Sequence, residues 1–396
     1  MQSGARSFSS RIMTQRFNHS QPHIRPWFDR DVSVRCFAGA TLALASAAAR
    51  RTVGDWPFFL DMSRRMLSSN GFHVFAEHTN IQSGPVALMA VRMLSIGPMN
   101  SRGGRAIVFF VAAIAMVELL IRVRRTMSTS KVWNHVTSPA VVLTMLWWTY
   151  FESYGHLDDA LVVVIFAAAL LLRTRGNPAW VGVLVGVAIA IKPWAVLLLP
   201  LTLMPHNESK RRWVPLAVSV SVAALWWAPF MVVAPGTLRG LKPSVKLGAD
   251  SVLQLFHFRA SNFPAGLRVV QLCGAVAVAF AAVRSRRLAG LLLGGVAVRV
   301  GLDPATWRYY TSSLVVGALF WDVCQSRRRF PVMTLAVTAL MAPPWVVSDP
   351  GLRALGRLAA CLLAVTVVIW PERPTAAPSE HEVLDDDCID AVGAAT

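Results

Sequence analysis

Apolar runs of roughly fifteen to twenty-odd residues recur along this chain, and the links between them are short and basic. A helix built from such a run is about as long as the hydrocarbon core of a bilayer is thick, so the pattern points to a polytopic helical membrane protein. Composition agrees: 55% of the 396 residues are hydrophobic and only 15% are charged. The formal charge of +18 would suit nucleic-acid binding if it lined one face. It is gathered instead between the runs, at Arg122, Arg124 and Arg125, at Lys210, Arg211 and Arg212, at Arg284, Arg286 and Arg287, and at Arg327, Arg328 and Arg329. Clusters placed that way anchor the cytoplasmic ends of membrane helices, and no nucleic acid is expected as a partner. Cys36, Cys273, Cys324 and Cys361 fall within apolar runs, Cys388 lies in the tail, and no CxxC is present. Neither a disulfide framework nor a cysteine metal site follows from that spacing.

The expected fold class is all-α, a polytopic membrane protein of about twelve transmembrane helices with interfacial helices on its outer face. Candidate spans lie at roughly 32–49, 105–121, 138–152, 158–172, 179–191, 193–204, 213–234, 268–283, 288–302, 308–324, 330–347 and 351–370. Residues 1–31 read as a disordered basic cytoplasmic arm, 32–370 as the transmembrane domain, and 371–396 as a disordered acidic cytoplasmic tail. The run from Val34 to Ala49 ends in small residues and imitates a signal peptide, but an uncleaved first span is the preferred reading.

Orientation depends on IQSGPVALMAVRMLSIGP. Between Pro85 and Pro98 it holds about a dozen residues, with Arg92 in the middle, which reach roughly 18 Å against a core of about 30 Å. It is read as an interfacial helix opened by Pro85, within a first exoplasmic loop at 52–104. A hairpin broken at Lys192-Pro193 then keeps every basic cluster cytoplasmic. The implied location is the plasma membrane, multi-pass, with both termini cytoplasmic, membrane lipids as neighbours and the reaction centre on the exoplasmic side.

The polar residues away from the basic clusters converge on that side. In VGDWPFFLDM, Asp55 stands at the water boundary beside Trp56, where partial burial suits a general base; the competing role is a cap on the helix that Pro57 opens. Asp61 is a second choice, and His78 and Gln82 of the same outer segment are further binding candidates. In YGHLDDAL one aspartate is enough to cap the next helix. His156 and the second of Asp158 and Asp159 are surplus to that need, which leaves acceptor binding or metal coordination open beside capping. In GVLVGVAIAIKPWAVLLLP, Lys192 must find an anion or a water-filled cavity, a phosphate being suited to its point charge, or else snorkel to the interface. LDPATWRYYTS offers Asp303, Arg308, Tyr309 and Tyr310; Arg308 runs against the charge bias and is a candidate for an anionic ligand, with Arg299 second. Glu118 is most simply the ion-pair partner of Arg122.

In this order the residues resemble the GT-C superfamily of integral membrane glycosyltransferases, which use polyprenyl-phosphate sugars. The likeness runs over roughly residues 35 to 325 and rests on four features: Asp55 after the first span, the outer helix opened at IQSGPVAL, the loop in SPAVVLTMLWWTYFESYGHLDDAL, and the segment GVLVGVAIAIKPWAVLLLP. The third is similar to the G-N-x-D-A-L-type loop of the polyprenyl-phosphate-mannose enzymes. The chain lacks the family's late H-x-H-E-K-type motif and carries TWRYY in its place. The resemblance implies an inverting transfer of a sugar, mannose first with arabinose or glucose as alternatives, to a cell-envelope glycolipid or polysaccharide acceptor. It implies Asp55 as the base, Lys192 and Arg308 as donor-phosphate contacts with Tyr309 beside them, and His156, Asp158 and Asp159 shaping the acceptor or metal site. No cofactor is required by that chemistry, and the loop admits a divalent metal without demanding one. The rival reading is a transporter or flippase of a lipid-linked sugar, which would bring inverted repeats and midplane charges; no internal repeat is evident. A scaffold without activity is a third.

Overall fold

The computed structural model describes residues 30–48, 54–127, 137–203, 213–241, 245–258, 265–305, 307–326, 328 and 330–370. Most of the N-terminal arm, the tail from residue 371, and the cluster Lys210, Arg211 and Arg212 lie outside them. Among the described residues every regular element is helical. They are α1 (Arg30–Ala48), α2 (Trp56–Met66), α3 (Val74–Glu77), α4 (Pro85–Leu94), α5 (Arg102–Met127), α6 (Thr137–Tyr154), α7 (Leu157–Thr174) and α8 (Pro178–Ile191), followed by α9 (Val214–Val233), α10 (Val252–Leu255), α11 (Ala265–Arg284), α12 (Gly290–Gly301), α13 (Arg308–Cys324), α14 (Val332–Leu340) and α15 (Pro350–Ile369). Among them four stretches are long and apolar enough to cross a membrane: Arg102–Met127, Val214–Val233, Gly266–Arg284 and Pro350–Ile369.

Three expected spans come out differently. Pro193–Thr202 is a 3-10 helix rather than an α-helix, and Pro200 inside it lacks the N–H that an α-helical ladder needs. The span expected at 330–347 yields only the nine-residue α14, and Pro343 and Pro344 follow just beyond its end. The span expected at 288–302 is the twelve-residue α12, roughly 18 Å long. Other readings are matched: α4 opens at Pro85, the helix α8 stops at Lys192, and Glu118 accepts from Arg122 Nε at 2.8 Å. Glu118 also accepts from Arg35 Nη2 at 2.7 Å, tying α1 to α5.

The core is built around α12 and α13, which are buried along almost their whole length. α6, α11 and α15 pack around this pair, and α7 joins α5 to α8. Glycines set a close crossing between α8 and α9. A Cβ at Gly182 would lie 2.3 Å from the Pro215 carbonyl oxygen, and one at Gly186 would lie 2.6 Å from that of Ser219. Small residues four apart let two backbones meet in this way. The α9 pattern is inverted relative to a soluble helix: Ser219 is buried, while Leu225 and Val232 are 73% and 78% exposed. That is the surface an apolar solvent selects.

At its other end α8 receives α4. The Gly84 N–H donates to the Ile191 carbonyl at 2.7 Å, and a Cβ on Gly84 would fall 2.1 Å from the Ala190 carbonyl oxygen. Only glycine permits this approach, and it delivers Gln82 and Ser83 to the break at Lys192. Arg287 of the expected cytoplasmic cluster is buried, and its Nη1 donates to the carbonyls of Val367, Val368 and Trp370 at the end of α15. A cation there complements the helix dipole.

Candidate functional site

The turn YGHLDD is shaped by its glycine. Gly155 has φ +74° and ends α6: its N–H donates to the Glu152 carbonyl, and the His156 N–H donates to that of Phe151 at 2.8 Å. This Schellman closure stops one helix and starts the next within two residues. His156 therefore stands at the head of α7, with Asp158 and Asp159 in its first turn. The strand of chain before α2 is pinned to the same turn, since the Asp55 N–H donates to the Tyr154 carbonyl at 3.0 Å.

Asp55 occupies the N-cap position of α2, but its carboxylate makes no capping hydrogen bond. Oδ2 instead lies 2.9 Å from His156 Nε2. The capping role is thus overturned, and the half-exposed carboxylate is held from behind by an imidazole. His156 is buried, stacks on Tyr309 with ring centroids 3.5 Å apart, and places Nδ1 3.2 Å from Asp158 Oδ1. Burial opposes charging of this imidazole, but the Asp158 carboxylate more than offsets burial and His156 is pushed up to about 9. Its charged form then donates at both nitrogens.

Lys192 does not snorkel; it is 1% exposed. The residue before a proline is driven into extended backbone, here φ −151° and ψ 122°, and that turns the side chain out of the line of α8. The anion it finds is the protein's own. Nζ lies 2.7 Å from Asp158 Oδ2 and 2.5 Å from Asp159 Oδ2, and 3.5 Å from His156 Nδ1. Ser83 Oγ donates to Asp158 Oδ2, Trp194 Nε1 donates to Asp159 Oδ1 at 2.9 Å, and the Asp159 N–H donates to Asp158 Oδ1 at 2.9 Å. Neither aspartate caps α7 with its side chain in the usual way.

Behind Lys192 a cavity of about 540 Å³ opens between α8, the 3-10 segment, α9 and α11. Its walls are mostly apolar, among them Leu199, Val220, Ala224 and Leu272, and its polar residues include Lys192, Arg299, Arg268 and Gln82. Arg299 is 3% exposed and lies over the rings of Trp194 and Tyr310, 4.7 and 4.2 Å from their centroids. Its Nη1 is 3.9 Å from Asp159 Oδ1, yet Nε and Nη1 have no hydrogen-bond partner among the described residues. Gln271 Nε2 donates to the Arg299 carbonyl at 2.7 Å and lies 3.4 Å from Asp303 Oδ2, and burial pushes the Asp303 carboxyl up. Tyr310 Oη donates to Gln82 Oε1 at 2.9 Å.

Of the residues singled out by sequence, Asp55, His156, Asp158, Asp159, Lys192 and Tyr309 come together, with Gln82 joined through Tyr310. Arg308 does not: its guanidinium lies 5.4 Å from the centre of the Tyr150 ring, and the arginine that lies against the cluster is Arg299. Asp61 pairs with Arg65 at 2.9 Å on an exposed face of α2. His78 ends α3, and among the described residues no hydrogen bond or ion pair joins its side chain to the cluster. Ser83 and Trp194 were missed; a hydroxyl and an indole N–H in apolar stretches carry no signal until packing gives them an acceptor.

One pH dependence follows. A histidine raised from 6.5 to about 9 stabilises the fold fully below 6.5, and the contribution is lost as pH rises through 9. The unfolding midpoint in detergent should therefore fall between those values in the wild type, with His156→Asn flat over the same window. Comparison with protein-family models, with curated proteins and with solved structures finds no match for this chain.

Proposed function

We propose that this protein is a membrane glycosyltransferase that moves a sugar, mannose first among candidates, from a polyprenyl-phosphate donor to a cell-envelope glycolipid or polysaccharide. The reading sets the reaction on the exoplasmic face of the plasma membrane, with about twelve crossings and both termini cytoplasmic. The short buried helices α12 and α13 then lie behind the four long apolar ones rather than against lipid.

The observation that carries the reading is the Arg299 guanidinium, dry and short of acceptors at the edge of an apolar cavity. A buried donor without a partner is costly, and the ligand that satisfies it here is anionic at one end and hydrocarbon at the other. A polyprenyl phosphate has that form. A single imidazole separates Lys192, at the same cavity, from the Asp55 carboxylate. In the proposed step an acceptor hydroxyl gives its proton to Asp55 while its oxygen bonds to the anomeric carbon. The bond from that carbon to the phosphate oxygen breaks on the opposite face, its electron pair leaves with the phosphate, and the configuration inverts. Arg299 stabilises the charge that develops on the leaving phosphate.

The test incubates purified protein in lipid vesicles with radiolabelled polyprenyl-phosphate mannose and a panel of envelope glycolipids. Transfer supports the reading; movement of the sugar lipid between leaflets without transfer replaces it with a flippase. Arg299→Met should lower kcat/KM for the donor by about ten- to a hundredfold, as expected for loss of hydrogen bonds to a charged group. Arg308→Met should leave that ratio close to wild type, because Arg308 packs on Tyr150.

A further inference from the structure

His156, Asp158 and Asp159 offer ligand atoms that lie within 4.8 Å of one another, a spacing at which three such groups can share a metal ion. The family resemblance also admits a divalent cation in this loop. The space between the groups is already filled. Lys192 Nζ contacts all three of them, at 2.7 Å, 2.5 Å and 3.5 Å from Asp158, Asp159 and His156. All four carboxylate oxygens are engaged: Asp158 Oδ1 by the Asp159 N–H and His156 Nδ1, Asp158 Oδ2 by Ser83 and Lys192, Asp159 Oδ1 by Trp194, and Asp159 Oδ2 by Lys192. A divalent ion needs several oxygen contacts at about 2.0–2.6 Å, and no position between these groups provides them while the ammonium stays. The charges also balance without a metal. Three carboxylates, Asp55, Asp158 and Asp159, face three cationic groups, Lys192, His156 and, 3.9 Å from Asp159, Arg299. The residues present therefore do not fit a metal.

We infer that the Lys192 ammonium is the built-in cation of this carboxylate pair, a tethered replacement for a divalent metal, and that removing it creates a divalent-metal site the native protein lacks. Lys192 is then a positioning residue: it bridges Asp158 and Asp159, Asp158 holds His156 Nδ1, and His156 Nε2 holds Asp55. The tether belongs to the fold, since Pro193 breaks α8 at the residue whose side chain must enter the pair. A chain that carries its own cation does not depend on metal supply for this arrangement, whatever reaction the site performs.

The experiment titrates chelator-treated protein in nanodiscs with Mn²⁺, reading free Mn²⁺ by electron paramagnetic resonance and the unfolding midpoint in parallel. Wild type and Lys192→Arg should take up no stoichiometric Mn²⁺ and show no change in midpoint. Lys192→Met should bind a single Mn²⁺ per chain, with a midpoint that climbs as Mn²⁺ is raised, and Lys192→Met/Asp159→Asn should lose that binding. Stoichiometric Mn²⁺ on the wild type that disappears in Asp158→Asn overturns the inference, as does folded Lys192→Met that takes up none. If Lys192→Met does not survive purification without metal, purifying it in Mn²⁺ decides: recovery of folded, Mn²⁺-loaded protein supports the inference and failure to recover it overturns it. The readout is metal binding, so it stands or falls separately from sugar transfer.

Discussion

Asp55→Asn should reduce sugar transfer by about 10²- to 10⁴-fold, the range over which a positioned general base contributes. The loss should fall on kcat rather than on the KM for donor, because the carboxylate is half-exposed on the Asp55–His156 side and does not line the apolar cavity. Asparagine keeps the shape and can still accept from His156 Nε2, so the unfolding midpoint should stay near wild type. Initial rates in vesicles, with the midpoint measured on the same preparation, check both halves. A variant that keeps more than about a tenth of wild-type kcat would remove Asp55 from the chemistry. A variant that loses activity only because it unfolds would make Asp55 a structural residue.

Lys192→Met has the largest expected effect on stability. The side chains of Asp158 and Asp159 are 2% and 0% exposed, and the ammonium between them is the nearest compensating charge. Stripping one partner from a buried ion pair leaves an uncompensated charge and typically destabilises by about 3–5 kcal/mol. Here two carboxylates are left facing each other, with His156 3.2 Å from Asp158 and Arg299 3.9 Å from Asp159 as the cationic groups that remain. Denaturant unfolding in metal-free detergent should show the loss, and Asp159→Asn on the same background should recover part of it by removing one of the stranded charges. Wild-type stability in Lys192→Met would mean that the aspartates are not both ionised.

Much of this arrangement is local and therefore legible in the sequence. The spans at 138–152 and 158–172 read as two helices joined by a tight turn at YGHLDD, and the closure at Gly155 builds that turn, although neither aspartate caps the second helix. Pro85 opens α4 and Pro193 breaks α8, since a missing N–H acts wherever it stands. What failed depended on contacts between distant elements. Arg308 was favoured over Arg299 because it runs against a charge rule for helix ends. Arg299 became the better placed cation only through the rings of Trp194 and Tyr310, from two other elements. Ser83 reaches Asp158 across 75 residues of chain, and no periodicity records that. Spacing favours Asp55 as a helix cap over a base, and its carboxylate is drawn from the capping position by a histidine 101 residues away. α14 is shorter than the apolar run that holds it because apolar content does not lengthen a helix that Pro343 and Pro344 prevent from continuing.

The inverted pattern of α9 has a consequence for traffic. Its Ala223, Ala224 and Ala228 line the cavity, while Leu225 and Val232 point away from it and stand bare. One helix thickness is therefore all that screens the cavity's contents from surrounding hydrocarbon. Pro229 leaves a gap in that helix's hydrogen-bond ladder, a natural place for it to bend. For the lipid-linked donor proposed above, the short way from hydrocarbon to the cavity is therefore sideways, past α9.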